Sequence, residues 1–217
     1  MTDETQAHLY DQLQMSVSAE RLHTYLQAAG YDKDRALRLY LWNAAVGEAF
    51  HLPIQAAEVA LRNGVNRALC AAFGPEWWQA PAFVKVADRN RVNDLDTARR
   101  RITGQRKPIT TAQIVASLSF GFWVRLLEPR YAPSLWGDWL RPAFPALPDG
   151  KTRPDLASAA QRTADLRNRI WHHEPVFRLD LSTAFHGVME LLRWICPLKA
   201  QWIRPFCHVP VLLRGKP

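Results

Sequence analysis

Arg167, Asn168 and His172 fall within one short stretch, Leu166-Arg167-Asn168-Arg169-Ile170-Trp171-His172-His173-Glu174-Pro175, and a helix through it gathers them on one surface. Leu156, Ala159, Thr163, Leu166, Ile170 and His173 recur at spacings of three and four, which makes them the stripe expected to meet a core. At ~100° per residue, Asn168 and His172 lie roughly opposite that stripe and one turn apart. Arg167 stands on the flank beside them. The spacing therefore predicts an outward His172 and an inward, structural His173. Pro175 disfavours helical geometry at Glu174, which places both histidines in the last helical turn. Free carbonyls and the negative end of the helix dipole are found there, a setting suited to a group that gives and takes protons.

An arginine and a histidine converging on one surface suit phosphodiester cleavage in RNA. The 2′-hydroxyl must lose a proton and the leaving 5′-oxygen must gain one. The charge that builds on phosphorus needs a fixed cation, and a guanidinium offers a planar fork of donors for it. This chemistry calls for no metal and no cofactor. Leu61-Arg62-Asn63 echoes Leu166-Arg167-Asn168, with Glu58 one turn before Arg62. Arg67 stands where a histidine would complete a second motif, so Glu58, Arg62 and Asn63 are read as residues lining the same cleft as His172, against the plainer alternative of a solvated ion pair. Arg99, Arg100 and Arg101, continued by Arg106 and Lys107, form the densest basic run. They would act as a phosphate-contacting ridge or simply as a solvated helix face. Most of the tryptophans sit at core spacing. Trp171, next to His172, is the one singled out to stack on a base.

The elements that must carry these residues are helical, since strand alternation is hard to find. The periodicity predicts helices over residues 18–29, 32–50 and from Pro53 to about Gly74, then 88–103, 110–127, 154–174 and 182–195, with a shorter piece after Pro197. Residues 1–17 are expected to be flexible. The segment 75–87 reads as an irregular connection. The Pro-rich stretch 129–153 reads as a connection or mobile loop with at most one short helix near 136–140. Amphipathic segments on both sides of it point to one packed all-α domain spanning 1–217.

Lys and Arg number 28 against 20 Asp and Glu, a formal charge of +8, which favours a polyanionic partner such as nucleic acid. The three cysteines show neither zinc spacing nor a disulfide framework. The polar, acidic start is unlike a signal peptide, and no apolar run reaches the ~20 residues that span a bilayer. The expectation is a cytoplasmic protein that does not engage membranes.

The Arg167-Asn168-x-x-x-His172 segment, followed by His173-Glu174, resembles the R-x4-6-H signature of the HEPN superfamily in the form found in its Abi-like (abortive infection) branch. Tyr40-Leu41-Trp42-Asn43, Glu58-Val59-Ala60-Leu61-Arg62-Asn63, Phe73-Gly74-Pro75-Glu76-Trp77-Trp78 and Leu118-Ser119-Phe120-Gly121-Phe122-Trp123 resemble that family's segments in the same order. The resemblance implies a HEPN-like helical bundle with additional helices, and a homodimer in which two motifs meet in one composite site. It further implies a metal-independent endoribonuclease acting as a toxin or in phage defence, with an antitoxin or defence-system partner. Arg167 would stabilise phosphate charge, Asn168 would orient groups or bind RNA, and His172 would be the acid and base. The alternative is a non-catalytic RNA-binding or protein-interaction dimer of the same fold.

Overall fold

The computed structural model describes the backbone of residues 3–217 and the side chains of residues 8–217. Helices follow one another along the chain: α1 (Asp3–Val17), α2 (Ala19–Ala28), α3 (Lys33–Phe73), α4 (Pro81–Val86), α5 (Arg89–Gly104), α6 (Thr111–Ser117), α7 (Phe120–Arg125), α8 (Arg153–Trp171), α9 (Leu181–Ile195), α10 (Pro197–Ile203) and α11 (Val209–Arg214). Among the described residues there is no strand, so the all-α expectation holds. None of these helices is long and apolar enough to cross a membrane.

The axis of the molecule is α3, a single helix of 41 residues. Asp32 starts it, its Oδ1 accepting from the Arg35 amide at 2.9 Å. Gly74 ends it with a φ of 91°, a left-handed position that a residue with a Cβ rarely takes. Two helices meeting at Pro53 were expected from the sequence. Pro53 instead lies inside α3 and is buried. A proline removes one backbone hydrogen bond and crowds the preceding turn, at about 3 kcal/mol. Phe50, Ile54, Ala57, Leu61 and Val65 on either side are fully buried. At ~1.5–3 kcal/mol for each large apolar side chain, their packing offsets the proline and carries the helix through.

Around α3 pack α9, α2, α1, α7 and α11, with α8 held chiefly by α9 and α7. Buried side chains from Tyr10 to Val209 form one continuous core. Residues 3–17, expected to be flexible, run as α1, which buries Tyr10 against this core. Residues 75–87 also carry more order than expected, a tight turn at Trp77–Gln79 followed by α4, since Trp77 and Phe83 are fully buried. The helix expected over 110–127 divides at Leu118, because Ser119 caps a new start through its hydroxyl to the Phe122 amide.

The Pro-rich stretch is helical over residues 129–143 and an irregular connection of turns over 144–152. Its helical part runs as tight turns at Pro129–Tyr131 and Arg141–Ala143 around a wide helical segment, Ala132–Leu140. The stretch buries Tyr131, Leu135, Leu140, Phe144 and Leu147. Prolines at the first positions of successive turns start them without losing a needed N–H, so the composition that reads as a linker here builds a packed edge.

Candidate functional site

The α8 helix begins at a reciprocal cap. The Thr152 amide and hydroxyl both donate to Asp155 Oδ2, at 2.8 and 2.7 Å. Leu156, Ala159, Thr163 and Leu166 are buried along the predicted stripe, and Ile170 is half-buried. The stripe fails at its last member. The helix ends at Trp171, and His172 is its cap, donating its amide to the Asn168 carbonyl at 2.9 Å. His173 takes the left-handed conformation, φ 56°. Its amide returns to Ile170 at 3.0 Å and that of Glu174 to Arg169 at 2.8 Å. This is the double closure usual where a helix stops on a left-handed residue with proline soon after. Both histidines therefore leave the helical turn in which the sequence placed them. His173 is exposed, not in the core, because the chain reverses at its own backbone. His172 is exposed as expected.

Close packing sets this helix end against α3. A Cβ added at Gly47 would sit 3.4 Å from Ile170 Cγ2, so the glycine lets the two helices approach. One turn back on α8, Arg167 reaches across to Glu58, with Nε 3.8 Å from Oε2 and both side chains less than a third exposed. The same guanidinium lies 5.1 Å from the Trp171 ring centre, a cation–π contact. Its Nη1 donates to Asn168 Oδ1 at 3.4 Å. Its Nε is buried without a hydrogen bond. Arg167 is thus held by a carboxylate on one side and a ring on the other, with its fork still able to take a ligand.

The structure brings Glu58, Arg167, Asn168 and Trp171 together, with His172 exposed at the end of the same helix. Arg62 is half-buried one turn further along α3, its Nε also without a partner. Its neighbour is Lys199, whose Nζ donates to the Ala56 carbonyl at 3.1 Å. Burial holds the Lys199 ammonium below its ordinary value, with Cys196 opposing and the Arg62 charge adding to the effect. Asn63 turns to solvent. Arg99, Arg100 and Arg101 sit on α5, whose main packing partner is α6. Arg99 lies 4.9 Å from the Trp78 ring and 3.6 Å from Asp96. Arg100 bonds within its own helix, to the Asp96 carbonyl and the Thr97 hydroxyl, and Arg101 is exposed.

The sequence reading missed a cleft at the end of α8. It occupies about 850 Å³ between α2, α3 and the end of α8, and Arg21, Tyr25, Tyr40, Asn43, Glu48, His51, Trp171, His173 and Glu174 are among the residues that line it. His51 stacks on Trp171 with ring centres 5.2 Å apart and planes 21° from parallel. Arg21 closes one wall, donating from Nη1 to the His173 carbonyl at 2.5 Å. Burial pushes the Tyr25 hydroxyl up to about 12, against the lowering charge of Arg21. A signal for His51 was present: it precedes Glu58 by seven residues and Arg62 by eleven, spacings that keep all three on one face of a helix.

Among the described residues no three His, Cys, Asp or Glu side chains group as ligands for a metal ion. No family model, curated protein or solved structure matches the chain.

Proposed function

We propose that the protein is a metal-independent endoribonuclease of HEPN type, in which Arg167 stabilises the phosphate and His172 moves the protons. The observation that supports this most is the setting of Arg167. Glu58 and Trp171 hold it from two sides, which fixes the cation in advance and spares reorganisation when charge builds on phosphorus. The resemblance of the Arg167-Asn168-x-x-x-His172 segment to the Abi-like branch points the same way, as does the formal charge of +8.

In this reading His172 takes the proton of the 2′-hydroxyl as that oxygen bonds to phosphorus. The bond from phosphorus to the 5′-oxygen breaks, and the leaving oxygen takes the proton that His172 received, which returns the imidazole to its starting form. The products are a 2′,3′-cyclic phosphate and a 5′-hydroxyl. Among the described residues the His172 imidazole has no hydrogen-bond partner and is exposed, open to substrate. The homodimer with a composite site, in which a second copy brings its own motif, comes into the reading from the HEPN resemblance. Action as a toxin or in phage defence, in the cytoplasm and with a cognate antitoxin or defence partner, belongs to the same reading.

The deciding experiment is cleavage of structured RNA in excess EDTA, wild type beside His172→Ala, with sedimentation giving the oligomeric state. Cleavage by the wild type, reduced at least 10²-fold in the variant, supports the reading. A folded dimer that binds RNA without cutting it moves the protein to the non-catalytic alternative.

A further inference from the structure

The cleft beside Trp171 takes no part in the proton transfers above, yet its floor carries a polar group that no protein atom satisfies. Asn43 projects from α3 and is 9% exposed. Its Oδ1 accepts from the amides of Val176 at 2.8 Å and Phe177 at 3.2 Å. Those bonds fix the side-chain amide, and its NH2 group has no partner among the described residues. Asn43 lines the cleft, and its NH2 group is not one of the buried side-chain atoms left without a partner, so it is open to the cleft and free to donate there. Because Val176 and Phe177 hold its oxygen, Asn43 meets a group that enters the cleft only as a donor.

The walls define what kind of molecule brings that acceptor. His51 and Trp171 present stacked rings on one side. Tyr25 and Tyr40 meet edge to face at 5.2 Å on the other. A cleft of about 850 Å³ is in the range that holds a nucleotide-sized ligand. Planar faces stack on such rings whatever the base. Glu48 and Glu174 also line the cleft, and their charge turns away phosphate. Arg21, the cation of this wall, is already engaged with the His173 carbonyl. The cleft thus favours a neutral planar group and leaves the phosphate to Arg167, which touches the same Trp171 ring.

We infer that the cleft is a nucleobase subsite. It takes one unpaired base of the strand whose phosphate Arg167 holds, stacks it on the face of His51 turned away from Trp171, and meets an acceptor on its edge with the Asn43 amide. The identity of the strand rests on the ribonuclease reading; the capture of a base does not.

The test titrates the full-length protein with each of the four nucleoside 5′-monophosphates and with ribose 5-phosphate, by calorimetry. His51→Ala and Asn43→Asp are compared with the wild type. The aspartate keeps an acceptor for Val176 and Phe177, removes the donor and adds a negative charge, so the uncharged nucleosides are titrated beside the nucleotides to separate the two effects, and thermal unfolding confirms that both variants fold. The expected result is saturable binding of nucleotides, about tenfold or more weaker for ribose 5-phosphate and about tenfold weaker in each variant. Equal binding of ribose 5-phosphate, or undiminished nucleotide affinity in both variants, overturns the subsite. So does RNA cleavage whose KM is unchanged in His51→Ala, an outcome that leaves the ribonuclease reading intact. Nucleotide binding that both variants lose, in wild-type protein that cuts no RNA, upholds the subsite and removes the ribonuclease reading.

Discussion

Arg167 and Arg99 are held by the same three-part device. Each guanidinium rests near a tryptophan ring, at 5.1 Å for Trp171 and 4.9 Å for Trp78. Each pairs loosely with a carboxylate, Glu58 at 3.8 Å and Asp96 at 3.6 Å. Each has a buried Nε with no hydrogen bond. The difference lies in the rings. Trp78 is 5% exposed, and its Nε1 donates to the Thr111 hydroxyl at 3.0 Å. Arg99 also donates to the Trp78 carbonyl, so it acts as a lid on the core. Trp171 is 37% exposed, stacks on His51 at the wall of a cleft and is followed by two exposed histidines. The same contacts thus glue one region together and poise the other for a ligand. The local triad does not reveal which; the burial of its ring and the residues around it do.

Replacing the rings separates the two regions most sharply. Trp78→Ala should destabilise the fold by about 3–5 kcal/mol, while Trp171→Ala should cost about 1 kcal/mol, since over a third of its surface is already in water. Urea unfolding measures both, and equal losses would erase the distinction. The arginines should divide the other way. Arg167→Ala should lower RNA cleavage by about 10²–10³-fold with a small change in stability. Arg99→Ala should leave the rate constant for cleavage within about twofold while lowering the unfolding midpoint by an amount worth roughly 1 kcal/mol. A cleavage defect in Arg99→Ala would return the α5 face to the site.

A pH titration sharpens the structural side. Burial pushes the Asp88 carboxyl up, but the Tyr131 hydroxyl, the Arg91 amide and the charges of Arg91 and Arg130 together hold it below its ordinary 3.8. A carboxyl depressed in the folded state stabilises the fold fully above its unfolded value and loses that contribution as pH falls through its folded value. Stability should therefore be level down to about pH 5 and fall below about pH 4. Asp155 and Asp180 are lowered as well, Asp155 by the hydroxyl and amide of Thr152 and Asp180 by the amide and hydroxyl of Thr183. The difference between wild type and Asp88→Asn isolates Asp88, and it should shrink on acidification. The smallest effect belongs to the exposed part of the α5 face. Arg100→Gln with Arg101→Gln should reduce the salt slope of single-stranded RNA binding by about 0.7 for each charge that contacts phosphate. An unchanged slope makes this face solvated surface.

Much of the scaffold was legible because its signals are local. Asp32 and Asp88 cap helices where the sequence put helix starts, and α8 follows its predicted stripe from Leu156 to Leu166. The errors cluster where local and tertiary preferences conflict. Pro53 argues for a break, and the apolar residues around it outweigh that argument once they are buried together. The prolines of 129–153 argue for a linker, and Leu135, Leu140 and Phe144 find a core to fill. At the end of α8, periodicity assigned His173 to the core. The helix reversed before reaching it, a choice made by closing hydrogen bonds from His173 and Glu174 that no spacing rule contains.

The sequence by itself determined that the chain would be helical, and that Arg167, Asn168 and an outward His172 would share the end of one helix. Those outcomes depend on residues within a few turns of one another, and helical geometry fixes such neighbours. Only the tertiary structure decided that Glu58 would hold Arg167, that His51 would stack on Trp171 and that Asn43 would turn its NH2 group to a cleft. Each of these joins residues more than a hundred positions apart, brought together because Gly47 lets α8 lie close on α3 and because the backbone of Val176 and Phe177 claims the Asn43 oxygen.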